Sequence, residues 1–120
     1  MLKNILIGAP KTEPLLRIYP NYISFNAVAA SLLGFNEGDA VSVMQDDRDG
    51  WVFVGNVHTK QSYVLSRQGS AFVVRCAPLC RRLAECLEGC GTYRISKDDA
   101  TEFMGHTYYN IFKKKYGKDR

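Results

Sequence analysis

At 120 residues, with 46% apolar and 23% charged side chains, the chain has the size and composition of one ordinary globular domain. No run approaches the roughly 18 apolar residues of a membrane-crossing helix, so a helical membrane protein and a compositionally disordered chain are both excluded. The net charge of +4 is local: residues 113–120 hold five basic and one acidic side chain, whereas residues 1–112 hold eleven of each. The body is therefore neutral overall, and only the end of the chain reads as basic.

The N-terminal stretch has a single apolar patch at 5–8, too short for a signal-peptide core, and a cytoplasmic protein is expected. Residues 15–19 and 22–25 read as a strand pair around a Pro20-Asn21 turn. Asn26 is placed to cap a helix over 27–33, because its side chain can accept from the free amides of the first turn. Gly34 can take the left-handed position that ends it. A strand over 40–44, an Asp-rich turn at 46–50 and a strand over 51–57 complete the first unit. After a connector at 58–61 the cycle returns, with strands over 62–67 and 71–75 around Gln68-Gly69-Ser70. A helix follows from Pro78 to about residue 88, then a strand over 92–96. Residues 97–106 are longer than their counterpart and are expected to carry a helical turn, before a last strand over 108–112 and a basic tail over 113–120.

The order strand, strand, helix, Glu-Gly turn, strand, Asp-Asp turn, aromatic strand thus occurs twice, at about 15–57 and 62–112. Half-chains of about 45 residues are close to the limit at which a lone core fails. The two repeats are expected to share one core, making residues 1–112 a single domain. The fold class expected is mainly β (α+β): a pseudo-twofold swapped-hairpin or double-psi-like small barrel with two short helices.

The segment ISFNAVAASLLGFNEGDAVSVMQDD (23–47) resembles the AbrB-like swapped-hairpin family, its LLGFNEGDAVSV (32–43) supplying the Leu-Gly-apolar, Gly-Asp and β-branched-strand pattern. The doubled unit is similar to tandem, MraZ-type members. Residues 21–26 (NYISFN) lack the arginine and proline that usually lead into the family's helix. The resemblance implies a non-enzymatic, transcription-regulator-like protein that contacts double-stranded DNA through the first hairpin of each unit. In this chain those positions are Arg17, Arg67, Gln68 and Arg75. Arginine suits them because its planar fork binds phosphate or guanine bidentately. The tail cations, Lys113, Lys114 and Lys115 with Lys118 and Arg120, would add sequence-independent affinity by releasing counterions. The alternative is a structural or protein-interaction module that keeps the fold without the DNA surface. A homodimer is compatible with either reading.

Cys76, Cys80, Cys86 and Cys90 form a C-x3-C-x5-C-x3-C array. That spacing permits zinc ligation without specifying it, and three of the four aligned positions in the first repeat are small residues. Small packing thiols are the expected role, and no cofactor or metal is expected. Gly69-Ser70 matches the cleavage dipeptide of a self-processing decarboxylase of related architecture, but a Gly-Ser turn accounts for it. His58 and His106 lack a nucleophile or acid at recognisable spacing, and no enzymatic activity is expected. Trp51, Tyr93, Tyr108 and Tyr109 are assigned to core or interface packing.

Overall fold

The structure, a computed structural model, describes residues 13–116. The apolar patch at 5–8 and the tail cations Lys118 and Arg120 lie outside them. Nine strands and two helices follow in the order β1 (Leu15–Ile18), β2 (Ile23–Phe25), α1 (Ala27–Leu33), β3 (Ala40–Gln45), β4 (Val52–Gly55), β5 (Tyr63–Val64), β6 (Ser66–Gln68), β7 (Ala71–Val74), α2 (Ala77–Cys86), β8 (Gly91–Phe103) and β9 (His106–Lys115). With 47% strand the protein is mainly β, as expected, and the strands form a nearly closed antiparallel barrel. No described helix is long and apolar enough to cross a membrane.

The strand order is β5-β3-β4-β9-β8-β1-β2-β7-β6, so hairpins from the two halves of the chain alternate around the sheet. The barrel nearly closes because its two outermost strands are consecutive in sequence. The stretch expected as one strand over 62–67 divides at Leu65: β5 pairs with β3 and β6 with β7. Leu65 itself is buried, and its amide donates to the Asp39 carbonyl (2.8 Å).

Period-two alternation turns Leu16, Ile18, Ile23, Phe25, Val41, Val52, Val54, Phe72, Val74, Tyr93, Ile95 and Ile111 into one shared core. Both helices pack into it. Asn26 caps α1 as expected, its Oδ1 accepting from the Ala29 amide (2.9 Å) and also from Leu15 (3.0 Å). Gly34 ends the helix in the left-handed region (φ +70°). Helix α2 carries its proline in the first turn and buries Leu79, Cys80 and Leu83. Its end is fastened by the buried Tyr93, whose hydroxyl accepts from the Glu88 amide (2.8 Å) and donates to the Gly89 carbonyl.

Three expectations change. Residues 97–103 form no helical turn. Ile95 pairs with Ile111 and Ala100 with Tyr109, so residues 96–99 bulge opposite Asn110 alone. The Ser96 hydroxyl accepts from the Asp99 amide (3.2 Å) and satisfies the excursion locally. Beyond it β8 and β9 continue as a two-stranded arm, turned at Met104 and Gly105, both at positive φ. The arm lies against the barrel at Gly55, where a Cβ would stand 2.8 Å from the Thr107 carbonyl oxygen. Second, Lys113, Lys114 and Lys115 are not tail but the last residues of β9, since Tyr93 pairs with Lys115 across β8. Third, the core half of the aromatic assignment does not hold for Trp51, which precedes β4 and is 46% exposed, leaving its interface alternative, whereas Tyr93 and Tyr108 are buried and Tyr109 packs against the core.

Candidate nucleic-acid interface

The antiparallel register determines which of the expected contact residues can act together. Strands β1 and β2 pair with Ile18 opposite Ile23, and both point inward, so alternation sends Arg17, Tyr19, Tyr22 and Ser24 to the outer surface. Strand β2 pairs with β7 so that Ile23 faces Val74 and Ser24 faces Val73, which brings Arg75 to the Tyr22 end on the same surface. Across the other edge of β1, Arg17 is opposite Thr92 of β8 and Leu15 opposite Arg94. Strand β9 follows with an irregularity, residues 112–114 standing opposite Arg94 alone, and Phe112, Lys114 and Tyr116 line a hollow with Arg94.

The arginines on this surface rest on aromatic rings. Tyr19 and Tyr22 flank the Pro20-Asn21 turn and stack with centroids 4.4 Å apart and planes 20° from parallel. The Arg17 guanidinium lies 5.6 Å from the Tyr19 centroid and that of Arg75 lies 5.7 Å from Tyr22. The stacked tyrosine pair thus has one cation within 6 Å of each ring centroid. Arg94 repeats the device, 4.8 Å from Phe112 and 5.9 Å from Tyr116. Between the two stacks, Arg17, Gly91, Thr92, Lys115 and Tyr116 line a cleft of about 300 Å³. Gly91 is its floor: a Cβ there would come 3.0 Å from the Lys115 side chain, which crosses over it.

On the barrel, before the β8 bulge, the outer surface from β9 to β7 carries Lys114, Arg94, Arg17 and Arg75 and no carboxylate, whereas from the bulge onward β8 carries Asp98, Asp99 and Glu102. Acids border this surface without entering it. Glu13 sits 3.8 Å from Arg94, Asp98 lines the same margin, and Glu88 accepts from the Lys115 amide (3.1 Å). The remaining described acids are elsewhere: Glu37 and Asp39 before β3, Asp46, Asp47 and Asp49 in the β3–β4 turn, Glu85 in α2, Asp99 in the β8 bulge and Glu102 on the arm. Asp46 is held below the usual carboxylate range by the Arg48 amide and then its guanidinium, a local pairing within the turn. A neutral body is therefore a sum of separated regions.

Arg67 and Gln68 do not join the basic surface. They stand opposite Phe72 and Ala71, toward the Phe25 end of β7, about 10 Å along the strand from Arg75. Arg67 lies 5.8 Å over Phe72 and donates to the Gly69 carbonyl, closing its own turn. Lys113 is also diverted, its Nζ donating to the Asp49 carbonyl (2.9 Å). Arg94, Tyr19, Tyr22, Phe112 and Tyr116 also lie on this surface, although no motif in the sequence singles them out. The alternation Arg17-x-Tyr19 places Tyr19 beside Arg17 once the strands are assigned, whereas residues 112–116 cross an irregularity that only the pairing with β8 reveals.

The cysteines do not assemble into a ligand set. All four are free thiols, and among the described residues no three His, Cys, Asp or Glu side chains are grouped to hold a metal. Cys76 occupies the N-cap of α2 without a side-chain hydrogen bond, Cys80 is buried, Cys86 packs at the core margin and Cys90 is exposed. Burial, with a smaller contribution from Cys76 and Cys90, pushes the Cys80 thiol up. Gly69-Ser70 is an exposed turn with Gly69 at φ +66°, and His58 and His106 are exposed. Comparison with protein-family models, curated proteins and solved structures gives no match.

Proposed function

We propose that this chain is a tandem swapped-hairpin protein of AbrB-like type, without enzymatic activity, that binds DNA through the outer surface of β9, β8, β1, β2 and β7. The pairing pattern supports the architectural part. Exchanging the halves turns β1·β2 into β6·β7, β3·β4 into β8·β9, and β1·β8 into the pairing of β5 with β3. The pairings β2·β7 and β4·β9 map onto themselves about Ser24–Val73 and Phe53–Asn110.

The observation that carries the function is the run of cations across the barrel part of neighbouring strands, with Glu13 and Asp98 at its margin and no acid inside it. Strands about 4.8 Å apart spread these charges over roughly 19 Å, a row that tracks several phosphates. Aromatic support lowers the entropy each arginine loses on forming its bidentate contact. If Arg17, Arg75, Arg94 and Lys114 each displace one counterion, log K falls with log salt at a slope of about −3.6.

Fluorescence anisotropy of the full chain with labelled DNA at low salt tests the reading. The double variant Arg17→Ala/Arg75→Ala is expected to lose affinity roughly tenfold or more and about 1.8 of the slope, while Arg67→Ala binds like the parent. Equal loss in the two, or binding that depends only on residues 117–120, rejects this surface. One observation favours the interaction-module alternative: Phe103 and Met104 at the arm tip are 48% and 78% exposed. That reading predicts no retention on DNA by any variant.

A further inference from the structure

Resting on that reading of the surface, we infer that its ligand is an unpaired strand of nucleic acid, held by base stacking as well as by phosphate contacts, in preference to a duplex. The first argument is composition. Four aromatic rings, Tyr19, Tyr22, Phe112 and Tyr116, are interleaved with the cations on outward positions, and Tyr116 is 38% exposed. A duplex offers such rings little, because its base faces are already stacked on one another. An unpaired strand offers flat bases at every step, and any base stacks on a phenol or guanidinium plane.

The second argument is the stack itself. Tyr19 and Tyr22 are close to parallel, and the guanidinium groups of Arg17 and Arg75 lie 5.6 and 5.7 Å from their centroids. A stacked pair of rings with a cation beside each offers a base a flat partner and its phosphate an arginine at the same place. The cleft of about 300 Å³ beside Arg17 is the natural seat for such a base, with the Thr92 hydroxyl and Lys115 ammonium at its wall and Tyr116 beside it.

The third argument is shape. The cations lie on the outside of a barrel, a convex surface. A duplex is stiff over about 50 nm and meets a convex wall at a tangent, so it reaches the middle of the row and misses the ends unless bent. A single strand bends freely and can follow the curvature from Arg75 across β2, β1 and β8 to Lys114. The acids on the β3–β4 turn and arm would repel it elsewhere on the barrel.

The test is anisotropy with full-length protein and three labelled probes of equal length: oligo-dT, oligo-U and a mixed-sequence duplex. At one salt concentration either single strand is expected to bind at least about tenfold more tightly than the duplex, and their ratio reports the sugar preferred. Tyr19→Leu/Tyr22→Leu keeps apolar bulk and every cation. It should weaken single-strand binding roughly tenfold or more, with the salt slope unchanged and duplex binding within about twofold. Tyr116→Ala, at an exposed strand end where the fold does not depend on it, should lower single-strand binding in the same sense. Duplex binding as tight as single-strand binding, or no effect of the tyrosine variants, overturns the inference while leaving DNA binding standing. Failure of all three probes removes both.

Discussion

The hairpins β1–β2 and β6–β7 occupy corresponding places in the two repeats, yet only one of them builds a surface. Strand β1 is interior to the sheet, and the same residues, Leu16 to Ile18, pair with β2 on one side and β8 on the other. Its counterpart is the seam of the barrel, where β5 and β6 each pair with one neighbour and Leu65 turns inward between them. A strand held on both sides presents its outward side chains in a fixed row. A strand that switches partners does not, and Arg67 there closes its own turn rather than joining a row. The two hairpins share a pairing topology, but only the one held on both sides presents its cations in a row.

The largest test of this contrast is at the seam. Leu65 and Asp39 stand in the second β5–β3 pairing where Ile18 and Gly91 stand in β1–β8. Leu65→Ala is expected to cost about 3 kcal/mol, from lost transfer energy plus the cavity left. Hydrogen exchange should locate the loss at residues 63–68 while β1 and β2 stay protected. Equal loss of protection in both hairpins would break the distinction drawn here.

The helix caps offer a smaller, sharper version. Asn26 accepts from Ala29 and Leu15 and donates to the Glu13 carbonyl (3.0 Å), so Asn26→Ala should cost about 2 kcal/mol in urea unfolding. Cys76 caps α2 with extended backbone but no side-chain hydrogen bond, so Cys76→Ala should change stability by less than about 0.5 kcal/mol. Cys76→Asn should gain about 1 kcal/mol by supplying the missing acceptor.

The smallest effect is alkaline. Burial raises the Cys80 thiol and, separately, the Tyr93 phenol. Both groups hold their protons more tightly folded than unfolded. Their contribution is complete below the unfolded thiol value and is lost as pH rises through the folded values. Unfolding free energy should therefore be flat to about pH 8.5 and decline above it, with a shallower decline in Cys80→Ala.

Much of the fold was legible because its determinants are local. The Asn26 cap, the Gly34 terminus, Pro78 in the first turn of α2 and the inward alternation of the strands depend on a residue and its near neighbours. The bulge at 96–99 was not legible: it absorbs a mismatch between β8 and β9 that exists only once Ile95 faces Ile111 and Ala100 faces Tyr109. For the candidate site, the first-hairpin positions and the basic tail point to Arg17, Arg75, Lys114 and Lys115, but equally to Arg67, Gln68 and Lys113, which the register places elsewhere or diverts. Arg94 and the four aromatics were passed over because their partners are distant in sequence.

By itself the sequence determined the repeat, the kinds of element, their caps and turns, and which side chains point inward, all of which follow from backbone preference and periodicity over a few residues. Only the tertiary structure decided that the halves interleave, that β9 extends through the lysines, and that the charges separate into a basic aromatic surface and acidic turns. Register and strand order set those outcomes, and both are fixed by pairing between residues far apart along the chain.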